Sequence, residues 1–250
     1  MAARYSILTY IIGDYEVVHE VKDKRPDVEY VLVTDNKDLS SSTWNVVVVE
    51  NPYPQDPFWL CYQIRFNPFK YVHSDIVIRI DGSMGIANTD ALIDEFNKGN
   101  YDIALVPHPH RNNCADEYDT WVRTRKFSRT QANRVLNAIA EMGWDIRKDK
   151  GLYAYGFVIQ RNNEVNNAIN ARTLQLLLDL AEEGKMVERV DQVIASVVIN
   201  QVDLKPMMLR NNAVFGRIAT LYAHKTNFII GPSLNLFPAY YKKEPYPWAF

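Results

Sequence analysis

The chain contains 250 residues, of which 47% are hydrophobic and 23% charged. This composition excludes a disordered, collagen-like or coiled-coil protein, and a chain of this length buries roughly three quarters of its unfolded surface on folding. The 28 basic and 30 acidic residues leave a net charge of -2, so no overall positive field favours nucleic acid or an anionic membrane as a partner. Any anionic ligand must therefore be held by a local cluster of residues.

Cysteine usage and hydropathy indicate where the protein resides. Cys61 and Cys114 are the two cysteines of the sequence, too few for a disulfide scaffold and without the spacing of a four-ligand zinc site. The first ten residues lack a basic region followed by a long apolar run, and no later stretch approaches the roughly 18 continuous apolar residues of a membrane span. The sequence therefore predicts a cytoplasmic protein with reduced cysteines and no transmembrane segment.

The first 106 residues alternate between strand-like and helix-like segments. A helix is expected in the first part of residues 58–71, and another over residues 89–98 with Thr89 as its N-cap. Short runs of apolar, β-forming residues followed by Gly, Asp, Asn or Pro predict five strands, at residues 5–12, 29–33, 45–49, 75–80 and 102–106. This alternation predicts an α/β fold: a mostly parallel central sheet flanked by helices, with a ligand at the carboxyl ends of the strands.

The second half of the chain is more helical. Apolar residues at spacings of three and four predict helices over residues 128–142 and 163–183, which flank an apolar run at residues 152–159. A shorter helix is expected over residues 191–200. The tail, residues 231–250, combines four prolines with aromatic residues, which excludes a long helix but suits an ordered strap across the surface. Without an internal repeat or a linker, the chain is expected to form a single domain.

An acidic turn follows the strand predicted at residues 75–80. Asp81, at the strand end, can bind a divalent cation, Gly82 lets a phosphate or ribose approach the backbone, and Ser83 can supply a second oxygen. The alternative is that Asp-Gly-Ser forms an ordinary turn.

A second acid, Asp191, begins the helix predicted over residues 191–200 and is followed by Gln192. Asp191 could simply cap that helix. The functional interpretation is that the carboxylate and the neighbouring carboxamide face the hydroxyl groups or the reacting centre of a sugar.

Polar residues also follow three other predicted strands. The sequence from Pro107 to Arg111, with Cys114, Asp116 and Glu117 close behind, is typical of a loop that forms part of a functional site. Its two histidines could alternatively bind a metal, although their spacing matches no strong metal-ligand pattern. Thr9, Tyr10, Gly13 and Asp35 could hold a nucleobase and its ribose. The chain contains neither a Gly-x-Gly-x-x-Gly motif nor a Walker motif, which disfavours dinucleotide-dependent oxidoreductases and P-loop ATPases.

Taken in order, these motifs resemble the nucleotide-sugar glycosyltransferases of the GT-A fold. They are most similar to the plant and bacterial family of mucilage- and turgor-related glycosyltransferase-like domains, a distant relative of glycosyltransferase family 8. The resemblance spans about residues 4 to 200, and its matching segments are residues 9–15, 30–35, 44, 65–70, 80–83, 108–117, 151–153, 161–162 and 189–192.

The resemblance implies a single GT-A (Rossmann-like) domain over residues 1–250. Residues 1–106 would form the nucleotide-binding half, residues 107–230 the acceptor and catalytic half, and residues 231–250 the strap. It implies an enzyme that moves a sugar from a nucleoside diphosphate sugar, expected to be a UDP-sugar, to a hydroxyl acceptor, with retention of configuration, in glycan or polysaccharide biosynthesis. The expected partners are thus the nucleotide-sugar donor and a glycan or other hydroxyl acceptor.

The resemblance also assigns roles to individual residues. The residues expected to act in catalysis are Asp191, Gln192 and Glu117. The residues expected to bind Mn²⁺ or Mg²⁺ are Asp81, Ser83 and His224. The residues expected to contact the sugar or the acceptor are His108, His110 and Arg111. The nucleotide would be bound by Thr9, Tyr10, Gly13, Asp35, Arg65, Asp81 and Gly82. The chain departs from the family at two positions, because Arg79 stands where the family often has Trp and Ser83 replaces the last metal-binding acid.

Two other functions remain open from the sequence. One is a sugar nucleotidyltransferase, although its Gly-rich phosphate loop with Lys and Arg is missing. The other is a non-catalytic module that binds a nucleotide-sugar or carbohydrate, which the replacement of an acid by Ser83 would permit.

Overall fold

Apolar strands form a seven-stranded sheet at the centre of the computed structural model, which describes residues 3–124, 127–148, 151–181, 186–187, 190–210, 214, 218–222 and 224–225. The described residues form nine strands, β1 Tyr5–Ile11, β2 Val28–Thr34, β3 Asn45–Val48, β4 Ile76–Ile80, β5 Met84–Ile86, β6 Ile103–Pro107, β7 Tyr153–Arg161, β8 Pro206–Met208 and β9 Ala219–Leu221. Seven of them form the central sheet, and β5 and β9 pair in a separate two-stranded sheet. The strap predicted at residues 231–250 lies outside the described residues, as does Arg189.

Six α-helices and two short 3-10 helices accompany the strands in the described part of the chain. The α-helices are α1 Pro57–Arg65, α2 Asp90–Lys98, α3 Cys114–Arg123, α4 Arg129–Glu141, α5 Glu164–Asp179 and α6 Asp191–Asn200, and the 3-10 helices are Pro68–Lys70 and Ile146–Lys148. Among the described residues, no helix is both long and apolar enough to cross a membrane.

The central sheet has the order β3-β2-β1-β4-β7-β6-β8. β1 pairs in parallel with β2 and β4, β2 with β3, and β6 with β8, whereas β7 is antiparallel to both β4 and β6. The prediction of an α/β fold with a mostly parallel sheet is therefore confirmed. All residues of β1 and β4 are buried, because helices and loops cover both faces of the sheet, and this explains why these strands are continuous apolar runs.

The helices differ from the predicted ones mainly at their ends. α4 begins where expected, with a capping box in which Ser128 and Gln131 bind each other's backbone amides. The helix predicted over residues 163–183 ends earlier, at Asp179. Thr89 is the N-cap residue of α2, as predicted, but its hydroxyl makes no capping hydrogen bond and lies instead 2.7 Å from the hydroxyl of Tyr5 in the core.

The direction of the strand order reverses between β1 and β4. From β1 the chain moves outward to β2 and β3, and it then returns to place β4 on the other side of β1. In open α/β sheets such a reversal opens a crevice beyond the carboxyl ends of the strands, and ligands bind there. Since β1, β2, β4 and β6 all end at this edge, the polar residues that follow them lie along it.

Candidate functional site at the carboxyl edge of the sheet

Arg65, the last residue of α1, joins two carboxylates that are far apart in the sequence. Its Nη2 donates a hydrogen bond to Asp81 Oδ1 at 2.6 Å, and its Nη1 donates to Asp191 Oδ2. Its Nε donates to the hydroxyl of Tyr10 at 2.8 Å, and that hydroxyl donates in turn to Asp81 Oδ1 at 3.0 Å. These four side chains, predicted separately for nucleotide, metal and catalysis, form one connected group, called here the Arg65 cluster.

Each member of the Arg65 cluster is placed by the end of a helix or strand. Tyr10 is the penultimate residue of β1, Asp81 directly follows β4, and Asp191 is the first residue of α6. Asp191 is the first residue inside α6 and the N-cap position is held by Val190, so the alternative that Asp191 serves as the cap of α6 is wrong.

The Arg65 cluster is largely shielded from water. The side chains of Arg65, Asp81 and Asp191 are 14%, 20% and 7% exposed. Burial alone would lower the pKa of Arg65, but the charges of Asp191 and Asp81 outweigh it and hold that pKa well above its usual value. Burial raises the pKa of Tyr10 well above its usual value, so its hydroxyl keeps its proton and remains a donor. The two carboxylates and the guanidinium are therefore fixed in place before any ligand binds.

A second guanidinium lies directly behind Asp81. Arg79 is fully buried in β4, its Nη2 donates to the carbonyl of Tyr155 at 2.9 Å, and its guanidinium carbon lies 4.7 Å from the centroid of the Tyr155 ring. Its Nη1 is 4.0 Å from Asp81 Oδ1, and neither Nη1 nor Nε makes a hydrogen bond to a described residue. Burial lowers the pKa of Arg79, and the charge of Arg65 lowers it further. The sequence marked Arg79 as a departure from the family without assigning it a role.

Gly82 makes a close contact that excludes any side chain. A Cβ at this position would lie 2.6 Å from the Tyr15 hydroxyl oxygen and 2.7 Å from the Tyr10 carbonyl oxygen. The Gly82 amide donates to the Tyr15 hydroxyl at 3.0 Å. Ser83 is buried, and its carbonyl accepts a hydrogen bond from the amide of Tyr222 at 2.9 Å. The loop after β4 is thus held between the loop after β1 and the segment around β9.

The pairing of β5 with β9 brings His224 to the loop after β1. There His224 Nδ1 lies 3.0 Å from Glu16 Oε2, and the amide of Lys225 donates to Glu16 Oε1 at 2.7 Å. Burial of Glu16 would raise its pKa, but its contacts with His19, His224 and two backbone amides lower it to about 2. Sequence reasoning missed Glu16, which no strand end or motif marks.

The predicted metal ligands are not brought together around a cation position. Asp81 Oδ1 already accepts hydrogen bonds from Arg65 and Tyr10, Asp81 Oδ2 packs so closely on Gly156 that a Cβ there would lie 2.8 Å away, and His224 lies against Glu16. The described residues include no group of three or more His, Cys, Asp or Glu side chains that could hold a metal ion. Asp81, Ser83 and His224 therefore do not fit a Mn²⁺ or Mg²⁺ site in this arrangement.

The loop after β6 and helix α3 together hold a separate group, the His108 cluster, made of His108 and Arg111 from the loop and Glu117 and Trp121 from the helix. Arg111 Nη1 lies 2.7 Å from Glu117 Oε2 and 3.0 Å from His108 Nε2, and Trp121 Nε1 donates to Glu117 Oε1 at 2.7 Å. One antiparallel strand, β7, separates β6 from β4, which places the ends of these two strands about 10 Å apart. The structure thus places Glu117 in the His108 cluster rather than in the Arg65 cluster.

Two clefts border helix α3. One, of about 410 Å³, is lined by His110, Arg111, Asp116, Asp119, Thr120 and Arg123 and borders the His108 cluster. Burial and the charge of Arg111 lower the pKa of His110. The other, of about 420 Å³, lies between α3 and α4 with Leu136 and Trp144 in its wall, away from the strand ends. The first is the one that could receive an acceptor beside the predicted sugar site.

The remaining predicted residues lie near the ends of β1 and β2. Gly13, with a φ of +67°, donates its amide hydrogen bond to Asp35 Oδ1 at 2.9 Å, and this contact connects the two strand ends. Gln192 is partly exposed beside Asp191. Thr9 is buried inside β1, with its side chain on the opposite face of the sheet from Tyr10 because successive strand residues alternate. The Thr9 side chain therefore does not point toward the Arg65 cluster.

Comparison with models of known protein families found none that matches this chain, and comparison with curated proteins found no related sequence. Fold and site together define an α/β protein with a mostly parallel seven-stranded sheet and a buried charged cluster at the point where the strand order reverses.

Proposed function

We propose that the protein is a glycosyltransferase that moves a sugar from a nucleoside diphosphate sugar, expected to be a UDP-sugar, to a hydroxyl acceptor. The observation that carries this proposal is the Arg65 cluster: a guanidinium held between Asp81 and Asp191 at the crevice between β1 and β4. That crevice is where open α/β sheets bind ligands. A guanidinium presents several N–H donors in a plane, a geometry that suits the oxygens of a diphosphate.

The neighbouring residues support a nucleotide as the ligand. The contact between the Gly13 amide and Asp35 joins the ends of β1 and β2, next to the Arg65 cluster on the same edge of the sheet. Asp35 is partly exposed, so its carboxylate is available to ribose hydroxyls. In this arrangement the nucleoside lies over the ends of β1 and β2, and the diphosphate extends toward Arg65.

The transfer breaks the bond between the anomeric carbon and the β-phosphate oxygen and forms one between that carbon and the acceptor oxygen, whose proton passes to the released diphosphate. Negative charge builds on the leaving diphosphate, and the Arg65 guanidinium stabilises it. The Asp191 carboxylate stabilises the positive charge that develops at the sugar, and Gln192 beside it orients a sugar hydroxyl. The diphosphate shares Arg65 with the two carboxylates that hold it in the free protein.

The test compares Asp191→Asn with Asp102→Asn, a matched control whose carboxylate bonds Asn163 and the Lys205 amide at the opposite edge of the sheet. Calorimetric titration with UDP and a panel of UDP-sugars measures binding, and UDP release with and without mixed glycan acceptors measures turnover. Asp191→Asn should lower kcat at least about tenfold, or ~1.4 kcal/mol of transition-state stabilisation, with UDP affinity preserved. The control should behave as the wild type.

Each alternative has its own outcome. Normal turnover in Asp191→Asn, with an unchanged melting temperature, would refute the role of that carboxylate. Release of pyrophosphate from a nucleoside triphosphate would indicate a sugar nucleotidyltransferase, and nucleotide-sugar binding without any transfer or hydrolysis would indicate a binding module. If no nucleoside diphosphate bound at all, the proposed function would be wrong.

A further inference from the structure

The charge around Asp81 is already balanced by protein groups. Asp81 Oδ1 accepts from Arg65 Nη2 at 2.6 Å and from the Tyr10 hydroxyl at 3.0 Å. Arg79 Nη1 lies 4.0 Å from the same oxygen. One carboxylate oxygen therefore has two guanidinium groups and a hydroxyl donor around it, where a cation would have to bind.

The other oxygen of Asp81 offers no better position. It packs on the backbone of β7, where a Cβ at Gly156 would be only 2.8 Å from Oδ2. Ser83 contributes a neutral oxygen, and His224 is engaged with Glu16. Mg²⁺ and Mn²⁺ favour sites with carboxylates and several other oxygen ligands. A cation beside Asp81 would find that carboxylate already paired with Arg65, and the repulsion of two guanidinium charges would offset the attraction of Asp81 and Asp191.

Arg79 is the second observation that points to an anion. It is fully buried, and its Nε and Nη1 make no hydrogen bond to a described residue. A buried charge is normally paired, and a buried donor without an acceptor is costly. Asp81, which comes closest to balancing Arg79, and Asp191 both already bind Arg65. The two carboxylates equal the two guanidinium groups in number, but no described carboxylate lies within hydrogen-bond distance of Arg79. A phosphate anion that bound Arg65 would release Asp81 from that contact and leave its charge to Arg79.

We infer that the protein binds its nucleoside diphosphate without a divalent cation, the positive charge being supplied by Arg65 in contact with the diphosphate and by Arg79 behind Asp81. This inference rests on the proposed function, because it concerns the same ligand. Arg79 is a positioning residue that acts through Asp81. Its positive charge attracts the Asp81 carboxylate and so weakens the ion pair between Asp81 and Arg65, and the Arg65 guanidinium can then bind the diphosphate.

The test is calorimetric titration of the full chain with UDP in excess EDTA and in excess Mn²⁺, together with a titration with Mn²⁺ alone. We expect UDP affinities that agree within about threefold in the two buffers, and no saturable binding of Mn²⁺ alone. Binding of UDP only with Mn²⁺, or at least about tenfold tighter with it, would overturn the inference and leave the proposed function standing. Failure to bind in both buffers would overturn the proposed function itself.

A substitution series tests the part played by Arg79. Arg79→Met should weaken UDP binding in EDTA about tenfold and make the affinity less sensitive to salt, and Arg79→Lys should restore most of the affinity. The matched control is Arg161→Met, which removes a guanidinium that lies over Phe96 at the opposite edge of the sheet. Unchanged UDP affinity and salt dependence in a folded Arg79→Met would refute the role of Arg79. If that variant does not fold, the EDTA titration of the wild type still decides the inference.

Discussion

Replacement of Arg65 by Met tests whether this guanidinium holds the candidate site together. Met has a similar length but no charge, so Asp81 and Asp191 would face each other without the partner that joins them. Two unit charges about 4 Å apart interact by about 4 kcal/mol at an effective dielectric constant of 20. Water can partly replace the lost partner. The free energy of unfolding should therefore fall by about 3–5 kcal/mol, the range typical of a buried ion pair from which one partner is removed.

The double variant isolates the charge contribution. Asp191→Asn removes one of the two carboxylates that Arg65→Met leaves unpaired. The combined variant should therefore be about 1–2 kcal/mol more stable than the sum of the two single losses predicts. If Arg65 contributed only by packing, the two losses would instead add.

Urea denaturation followed by tryptophan fluorescence and circular dichroism at neutral pH measures the free energy of unfolding and its m-value. The matched control is Arg4→Met, which breaks an ion pair with Asp94, whose side chain is 67% exposed, and should cost at most about 1 kcal/mol. An Arg65→Met protein within about 1 kcal/mol of the wild type, or strict additivity in the double variant, would refute the reasoning.

Three further predictions concern other contacts. The pKa of Glu16 falls from 4.5 to about 2 on folding, so its carboxylate stabilises the fold above pH 4.5 and this stabilisation is lost as the pH falls toward 2. Glu16→Gln should therefore cost at most about 3 kcal/mol of unfolding free energy at neutral pH. Urea denaturation at several pH values should show the difference between variant and wild type becoming smaller in acid. Gly82→Ala should lower the free energy of unfolding by more than about 2 kcal/mol, because its Cβ would lie 2.6 Å from the Tyr15 hydroxyl. The control Gly151→Ala, whose Cβ would have its nearest contact at 3.8 Å, should change it by at most about 0.5 kcal/mol. Equal thermal stabilities of the two variants would contradict the close packing at Gly82. Ser128→Ala removes the cap of α4 and should cost about 1 kcal/mol of unfolding free energy, and no change would indicate that the capping box is not formed.

Secondary structure was predictable where the local pattern was distinctive. Five apolar runs with turn residues behind them became strands of the central sheet, and the apolar spacing before Asn200 became α6. The run at residues 152–159 was left without a type because a short, fully apolar segment has the same pattern in a buried strand and in a buried helix. It forms β7, placed antiparallel between β4 and β6, and this placement depends on pairing with segments far away in the sequence.

Candidate site residues were predictable from their positions after strands, and several of them do meet. Tyr10, Asp81 and Asp191 were chosen separately, and the structure connects all three through Arg65. Arg79 was not assigned to the site because it stands inside an apolar strand. The alternation of side chains places Arg79 on the same face as Asp81, but whether its guanidinium comes near that carboxylate depends on how the side chains around it pack.

The sequence by itself determined the elements, the mostly parallel sheet and the polar character of the strand ends, because these follow from the hydrophobic periodicity of neighbouring residues and from the residues that interrupt it. The tertiary structure alone decided which polar residues share a site. Asp81 and Asp191 are brought to one guanidinium by the order of the strands and by the packing of α6 against the sheet. The same packing leaves Glu117 in the His108 cluster and His224 beside Glu16, because contacts between distant segments depend on how whole elements pack and no local pattern encodes them.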